Sequence, residues 1–225
     1  MLRELWDDFK TTPIDTVAKW QNARFLWLFM SFCSLSLVLA AHLLFQRYIY
    51  MAPCEQCVYI RFAFFCMFVA GLITALDPKN ILLKLIGYLL AFWGVIQGIG
   101  YSLTLNAIHK AIRSDNPFGA QGCSTEPVFP FGLPLDKWSP ELFKPTGDCG
   151  YDNPIVPMDA NLSFLQQWFV DFYKDGWYLA PSHHFINMAQ ACLFAFTLSF
   201  VLLGVMFACF ILKSLTNKTL YKETK

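Results

Sequence analysis

The sequence predicts an all-α membrane protein, a bundle of four transmembrane helices. Of its 225 residues, 56% are hydrophobic and only 15% are charged, whereas a soluble domain carries about a quarter charged residues. The apolar residues come in long runs rather than with a helical or strand period, as a lipid environment requires. The net charge is +1, so the composition gives no sign of a nucleic-acid partner.

Four apolar runs are long enough to span a bilayer. They cover residues 25–45, 58–76, 81–103 and 185–212. As a helix, the first run would extend about 31 Å, which matches the thickness of the hydrocarbon layer. It is too long for the core of a signal peptide, so we expect an anchor that is not cleaved. The fourth run is long enough to tilt.

Five segments lie outside these runs. They are an N-terminal segment 1–24, a first loop 46–57, a turn 77–80, a long second loop 104–184 and a C-terminal tail 213–225. The turn reads DPKN. So short a connection predicts that the second and third helices form an antiparallel hairpin.

The distribution of Lys and Arg predicts the orientation in the membrane. Basic residues are concentrated in the N-terminal segment, around the turn and in the tail, whereas the second loop has more acidic than basic residues. Short segments rich in Lys and Arg stay in the cytoplasm. Both termini are therefore predicted to be cytoplasmic, and both loops to lie on the opposite face.

The eight cysteines divide evenly between two environments. The first set falls in the predicted spans and comprises Cys33, Cys66, Cys192 and Cys209. Within a span, a thiol is most simply a small apolar group at a helix contact. The second set falls in the outer loops and comprises Cys54, Cys57, Cys123 and Cys149. An even number of cysteines in an oxidising compartment predicts disulfides.

The first outer pair forms a CxxC motif just before the second run. This spacing at a helix start lets the sulfurs of Cys54 and Cys57 meet, and a helix N-terminus favours the thiolate. Pro53 and Glu55 both suit the beginning of a helix. A disulfide of this kind opens and closes readily, which favours redox exchange. Zinc sites use the same spacing, but a structural zinc site usually brings a second close pair.

The second outer pair brackets a stretch that contains five prolines. Proline blocks helix and sheet, so we expect an extended, exposed loop between Cys123 and Cys149. A bridge between them would be either a structural staple or an exchangeable disulfide. Spacing alone does not separate the two, and exposure of the loop slightly favours exchange.

Arg61 lies inside the second run, four residues after Cys57. One helical turn separates them, so both lie on one face near the outer surface. The arginine either snorkels to the interface or acts on the thiol, whose pKa a neighbouring cation lowers, and on a bound carbonyl compound. The residues alone leave both interpretations open.

Residues 162–179 predict an amphipathic helix on the second loop. Aromatic and aliphatic residues recur on one face, and Gln, Asp and Lys occupy much of the other. Such a helix lies in the membrane interface or, alternatively, packs against the spans. His183 and His184, which precede the last run, fit an interfacial position better than a metal site. For His109, too, the sequence does not separate an interfacial position from a metal site.

Together these features resemble the DsbB-type membrane disulfide oxidoreductases. The family has a CxxC at the start of the second of four spans, an arginine one turn on, and two cysteines in a long second loop. The sharpest match is LPLDKW at 133–138, followed by Pro140, Phe143 and GDC at 147–149. The sequences MAPCEQC at 51–57 and GYD at 150–152, with a longer stretch 150–182, are similar to the DsbI branch. Members of that branch work with a dedicated DsbA-like partner called DsbL.

The resemblance implies a function and a set of site residues. Cys123–Cys149 would re-oxidise a periplasmic thioredoxin-like protein of the DsbA or DsbL type, through a transient mixed disulfide at Cys123. Electrons would pass to Cys54–Cys57, and Cys57 would meet ubiquinone or menaquinone beside Arg61. The family implies the bacterial inner membrane, redox loops in the periplasm, and no metal.

Two other classes of protein stay open at this stage. One is a non-enzymatic membrane scaffold with inert structural disulfides, and the other is a metal-binding membrane protein. Proteins like vitamin K epoxide reductase also resemble this arrangement. In those proteins, however, the loop pair precedes the CxxC motif, whereas here the CxxC motif comes first.

Overall fold

The computed structural model describes residues 11–113 and 123–223, with side chains to residue 216. Predictions for residues 1–10 of the N-terminal segment, 114–122 of the second loop and 224–225 of the tail lie outside the described residues.

The described residues form four long helices and several short elements. In chain order these are α1 (Pro13–Trp20), α2 (Arg24–Leu39), a π-helical segment (Ala40–Tyr48), α3 (Glu55–Leu76), α4 (Ile81–Arg113), α5 (Leu135–Trp138), α6 (Pro140–Phe143), α7 (Phe164–Phe172), β1 (Tyr178–Ala180), β2 (Phe185–Asn187) and α8 (Met188–Glu223). Among the described residues, four helical stretches are long and apolar enough to cross a membrane. They are α2 with its π-helical segment, α3, α4 and α8. The predicted four-helix membrane fold is confirmed.

Helix α3 is the centre of the bundle. It packs along both α2 and α4, and α4 packs along α8. In the most apolar stretch of α3, 72% of residues are buried, against 22% for α2 and 17% for α8. The outer helices instead expose large apolar side chains, including Phe25, Phe32, Leu89 and Phe194. Exposed apolar side chains of this kind are favourable in contact with lipid chains and unfavourable in contact with water.

The ends of the long helices differ from the apolar runs. Helix α4 continues to Arg113, ten residues past the run, because 104–113 contains no Gly or Pro and buries Leu105 and Ile108 at helical spacing. Helix α8 begins at Met188, later than the run. Its start is fixed by a reciprocal cap, in which Asn187 and Gln190 each accept the other's backbone N–H, at 2.8 and 3.1 Å.

The second loop contains regular structure that the sequence did not indicate. Strands β1 and β2 pair antiparallel, with Tyr178 opposite Asn187 and Ala180 opposite Phe185. The proline-rich stretch, predicted to be extended, contains the single helical turns α5 and α6. Pro140 begins α6, where a missing N–H costs no hydrogen bond.

The end of the bundle opposite the loops is held by buried polar contacts. Gln21 donates to the Met206 carbonyl at 2.6 Å and accepts from the Tyr88 hydroxyl at 3.0 Å. Lys84, near the start of α4, donates to Asn22 at 2.6 Å. These bonds satisfy polar groups that are cut off from water, and they tie the start of α2 to α4 and α8.

Helices α2 and α3 touch backbone to backbone at Gly71. A Cβ at this position would lie 2.6 Å from the carbonyl oxygen of Trp27 and 2.2 Å from Oγ of Ser31. The Ser31 hydroxyl donates across the same contact to the Phe68 carbonyl at 2.9 Å. Small residues permit such close approach in membrane helices, where apolar burial gives little drive for association.

We expect Gly71→Ala to destabilise the bundle, because the methyl group would displace the backbone of α2. The expected loss is about 1–3 kcal/mol of unfolding free energy, typical of overpacking, read as a lower Tm in detergent. Gly204→Ala is the matched control, since a Cβ on Gly204 of α8 meets nothing within 4 Å. A Gly71→Ala protein as stable as the Gly204→Ala protein would contradict this account of the contact.

Candidate active site

The CxxC motif lies at the start of α3, where Cys54 and Cys57 form a disulfide with 5.0 Å between their Cα atoms. Cys54 is the N-cap, and its sulfur accepts the backbone N–H of Cys57 at 3.2 Å. Both residues are buried, with exposures of 1% and 5%. The positive end of the α3 dipole points at the pair, which favours negative charge on sulfur when the bond is open.

The second outer pair, Cys123 and Cys149, is also a disulfide, with 5.8 Å between Cα atoms. The expectation of an exposed loop is wrong for Cys149, which is 6% exposed, whereas Cys123 is half-buried. The loop is drawn inwards because Phe129 and Phe143 pack with Tyr59 and Phe62 in one buried cluster. Aromatic burial outweighs the solvation of this stretch.

One end of the loop is bonded to the first turns of α3. The backbone N–H of Ser124 donates to the carboxylate of Glu55 at 2.8 Å. The Tyr59 hydroxyl donates to the same carboxylate at 3.0 Å and accepts the N–H of Val128 at 2.8 Å. Glu55 and Tyr59 therefore hold the chain that follows Cys123 against the helix that carries the CxxC motif.

The other end of the loop is bonded to the residue before the motif. The Pro53 carbonyl accepts the N–H groups of Thr146 and Gly147, at 2.9 and 3.0 Å. Gly147 is required here, since a Cβ would lie 2.6 Å from the Ala52 carbonyl oxygen. With both ends fixed, Cys149 shares one buried cluster with Cys54 and Cys57, and Cys123 packs against it. The structure thus brings all four predicted cysteines together.

Arg61 is 6% exposed and fully inside the protein. Its guanidinium donates to Oε1 of Gln46 at 2.7 Å and to the carbonyls of Leu142 and Ala41, at 3.1 and 3.2 Å. The side chain therefore joins α3, the π-helical segment and the loop. A snorkelling arginine would place its charge in water, so the snorkelling interpretation is wrong. Three of the five N–H groups of the guanidinium are used within the described residues, which leaves two able to donate.

A mostly apolar cavity of about 200 Å³ opens beside these groups. Cys57 and Arg61 line it from α3, and Asp152 and Trp177 from the second loop. Its remaining walls come from α2, the π-helical segment, the first loop and α8, and include the free cysteine Cys192. The other free cysteines, Cys33, Cys66 and Cys209, do not line this cavity. Such a site suits an apolar ligand that carries a few hydrogen-bond acceptors.

Helix α7 and the residues that follow it pack against the π-helical segment. Gln166 donates to the Tyr48 carbonyl at 2.7 Å, and the rings of Tyr173 and Trp177 pack edge-on against Phe45. The opposite side of α7 exposes Phe164, Leu165, Trp168 and Phe172. The helix is shorter than the predicted 162–179. One side packs on the span, and its free apolar side has the character of an interfacial helix.

Several residues of the site carried no sequence signal. Gln46, Glu55 and Tyr59 act through partners distant in the chain, so no local pattern marks them as bonding groups. Asp152 lies in the GYD sequence that suggested the DsbI branch, but nothing in that motif indicates that it reaches the cavity. His184, considered as a metal ligand or an interfacial group, packs edge-on against the Tyr178 ring.

Comparison with known proteins gives a consistent result over nearly the whole chain. The family model described as disulfide bond formation protein DsbB matches residues 23–206. A protein-disulfide oxidoreductase DsbI of Salmonella typhimurium is 55% identical over 96% of this chain and 99% of its own length. A protein of the same name from Escherichia coli O6:K15:H31 is 54% identical over 94% and 97%. A Campylobacter fetus relative is 60% identical over 93% and 98%.

We expect Tyr59→Phe to loosen the loop, because Val128 loses its acceptor and Glu55 loses one donor. A lost hydrogen bond of this kind costs about 1–2 kcal/mol, so local opening should be roughly tenfold more frequent. Reduction of Cys123–Cys149 by dithiothreitol should accelerate accordingly, as followed by alkylation and mass spectrometry.

The control for this measurement is Tyr101→Phe. The Tyr101 ring packs 5.0 Å from that of Tyr59, but its hydroxyl has no hydrogen bond within the described part of the chain. Equal reduction rates in the two variants would show that the Tyr59 hydroxyl does not hold the loop.

Proposed function

The chain belongs to the DsbB family, in its DsbI branch, and is a protein-disulfide oxidoreductase; from this premise we propose that it re-oxidises a periplasmic thioredoxin-like thiol oxidase and passes the electrons to membrane quinone. The proposal depends mainly on one observation: both disulfides lie at the start of helix α3. One disulfide lies on the loop, and the other lines an apolar cavity beside a buried arginine.

The loop disulfide is the one that meets the protein partner. Cys123 is the more accessible sulfur of the pair, since Cys149 is buried. A thiolate of a DsbA-like or DsbL-like partner attacks Cys123 and releases Cys149 as a thiolate, which gives a mixed disulfide. The second partner thiol then attacks its own sulfur in that mixed bond. The partner leaves oxidised, and Cys123 and Cys149 are left as thiols.

The electrons next move between two cysteine pairs of one chain. A thiolate of the Cys123–Cys149 pair attacks the Cys54–Cys57 disulfide, and exchange closes the loop disulfide again. No electrons are lost, because one disulfide forms as the other opens. The hydrogen bonds of Pro53, Glu55 and Tyr59 favour this step, because they hold one cysteine pair beside the other. Less entropy is then lost when the reacting sulfurs come together.

The cavity fits the head group of a quinone. Its lining is mostly apolar, Cys57 lines it, and Arg61 at its polar edge has two N–H groups without an acceptor among the described residues. Ubiquinone or menaquinone bound there would accept two electrons and two protons, the number that the Cys54–Cys57 dithiol releases on forming a disulfide. Arg61 would donate to a carbonyl oxygen and stabilise the Cys57 thiolate.

The proposed location is the bacterial inner membrane, with both termini in the cytoplasm and both loops in the periplasm. The Lys and Arg of the short segments support this orientation. An oxidising compartment on the loop side also suits two disulfides. Helix α7 would lie in the outer interface, with Phe164 and Trp168 in contact with lipid.

We expect Cys149→Ala to trap the partner, because Cys123 then forms a mixed disulfide that no neighbouring thiol of its own chain resolves. The adduct should appear as a reducible shift on a non-reducing gel, with an oxidised DsbA-like protein as probe: the Cys123 thiolate opens the disulfide of the probe, and the sulfur that leaves stays on the probe as a thiol. Cys57→Ala should block reduction of quinone and still allow one reaction of the loop with the partner. A structural-disulfide scaffold gives neither result, and full turnover by Cys57→Ala would end the proposal.

We expect Arg61→Ala to raise the apparent KM for quinone or lower kcat by about tenfold, the effect of one pKa unit on a thiolate or one lost charged hydrogen bond. The rate should be measured with ubiquinone-1 and reduced partner in detergent. Arg47→Ala is the control, since Arg47 lies at the same end in an exposed ion pair with Glu141, which contributes little. Unchanged kinetics in Arg61→Ala would leave Arg61 a purely structural role.

A further inference from the structure

A buried histidine–aspartate pair lies at one wall of the cavity, and the electron transfer proposed above does not use it. Nε2 of His109 is 3.1 Å from Oδ2 of Asp152, and the two side chains are 3% and 9% exposed. The contact lacks the alignment of a hydrogen bond. Within the described residues, that oxygen and both ring nitrogens of His109 are buried without a hydrogen-bond partner. Buried polar atoms in this condition call for an explanation, because leaving them unpaired costs free energy.

The pair joins two separate spaces. Asp152 lines the apolar cavity together with Cys57 and Arg61. His109 lines a polar cleft on the loop side, whose other walls are Asn106, Lys110, Arg113, Asn187 and Gln190. The contact between the imidazole and the carboxylate therefore lies between the polar cleft and the apolar cavity.

The backbone around Asp152 is built to place it there. Gly150 has φ +88°, a conformation that favours glycine. A Cβ at Gly150 would lie 2.2 Å from Cδ1 of Ile112, on the same stretch of α4 as His109. The chain after Cys149 therefore comes close enough to α4 for the carboxylate to meet the imidazole.

We propose that His109 and Asp152 form a proton relay between the outer polar cleft and the cavity beside Cys57. The inference rests on the proposed quinone reaction, which releases and takes up protons in a cavity walled by apolar groups. Oδ2 of Asp152 accepts the proton that Cys57 gives up when its thiolate forms, Nε2 of His109 takes the proton from that oxygen, and Nδ1 releases a proton towards the cleft. The dithiol releases two protons and the quinone takes up two. The relay therefore holds a proton for a time, and the whole reaction neither gains nor loses protons.

Imidazole suits this task, because it is the side chain that changes charge most readily between pH 5 and 8. Other groups set the electrostatic environment of the pair. They are Lys110 and Arg113 on the cleft side, and Cys57, Arg61 and Cys192 around the cavity. Asp152 is the catalytic residue of the relay, since it lines the same cavity as Cys57, and His109 is a positioning residue that acts through it.

The first experiment follows one turnover in the absence of a protein partner. Protein reduced with dithiothreitol and freed of it is mixed with ubiquinone-1 in detergent, and quinone absorbance is recorded from pH 5 to 8. We expect Asp152→Asn to slow the reaction by about 10- to 100-fold, as for loss of an acid–base group. His109→Gln should remove the acid limb of the pH profile. Asp159→Asn, an exposed aspartate of the same loop, is the matched control.

The second experiment uses no quinone. In a protein with Cys54, Cys123 and Cys149 all replaced by serine, alkylation of Cys57 by iodoacetamide is measured against pH on the Cys57 peptide. A relay in contact with the thiol gives a second step in this profile, which His109→Gln removes. In the otherwise native protein, added imidazoles should restore His109→Ala, with rates that follow the basicity of each imidazole.

The outcomes separate the relay from the proposed function. If the parent protein does not reduce ubiquinone-1, the quinone reaction itself fails. If the parent reacts and Asp152→Asn matches Asp159→Asn with an unchanged profile, only the relay is overturned, and the pair is a structural contact. Should Asp152→Asn fail to fold, the His109→Ala protein decides alone: rescue that depends on imidazole basicity supports the relay, and its absence overturns it.

Discussion

The arrangement of this protein depends on the hydrogen bonds that fasten the second loop to the start of α3. Pro53 accepts at one end of the bridged stretch, and Glu55 and Tyr59 hold the other. Pro53 directly precedes the CxxC motif, Glu55 lies inside it, and Tyr59 follows it by two positions. At this end of α3 the Pro53 carbonyl, the Glu55 carboxylate and the Tyr59 hydroxyl are the acceptors, and the loop supplies the backbone N–H groups. The same docking brings the Leu142 carbonyl to 3.1 Å from the Arg61 guanidinium, which donates to it.

Burial of both disulfides has a chemical consequence. Thiol exchange needs an approach along the line of the sulfur–sulfur bond, so a shielded disulfide resists small reductants in the compartment. Of the four sulfurs, only that of Cys123 belongs to a half-buried residue. Access is therefore restricted to one atom, which is the atom that the partner attacks in the proposed function. A fully exposed pair would exchange with any thiol, and electrons would enter without passing through a partner.

Much of the fold could be predicted from the sequence, because hydrocarbon thickness determines how long an apolar run must be. The four spans, the CxxC at a helix start and the turn at 77–80 follow from such local rules. The partners of Arg61 could not be predicted, since Gln46, Leu142 and Ala41 are far away in the chain. Prolines suggested an exposed loop, but Phe129 and Phe143 gain more by packing against α3 than the loop gains from water. The start of α8 at Met188 was predicted too early, because the residues just before its cap are also apolar.

The π-helical segment supplies two of the acceptors that keep an arginine inside this bundle. A helix carbonyl has a second lone pair besides the one used in its own helix, and can therefore accept from a side chain as well. Over Ala40–Tyr48 the turns are wider than in an α-helix. The Ala41 carbonyl and the Gln46 side chain of this segment accept from Arg61, and Phe45 lines the cavity. A buried charge costs far less when its donors are satisfied. The irregular turn of α2 thus stabilises the cation that the cavity needs at its polar edge, and the site is built as much by α2 as by the helix that carries the cysteines.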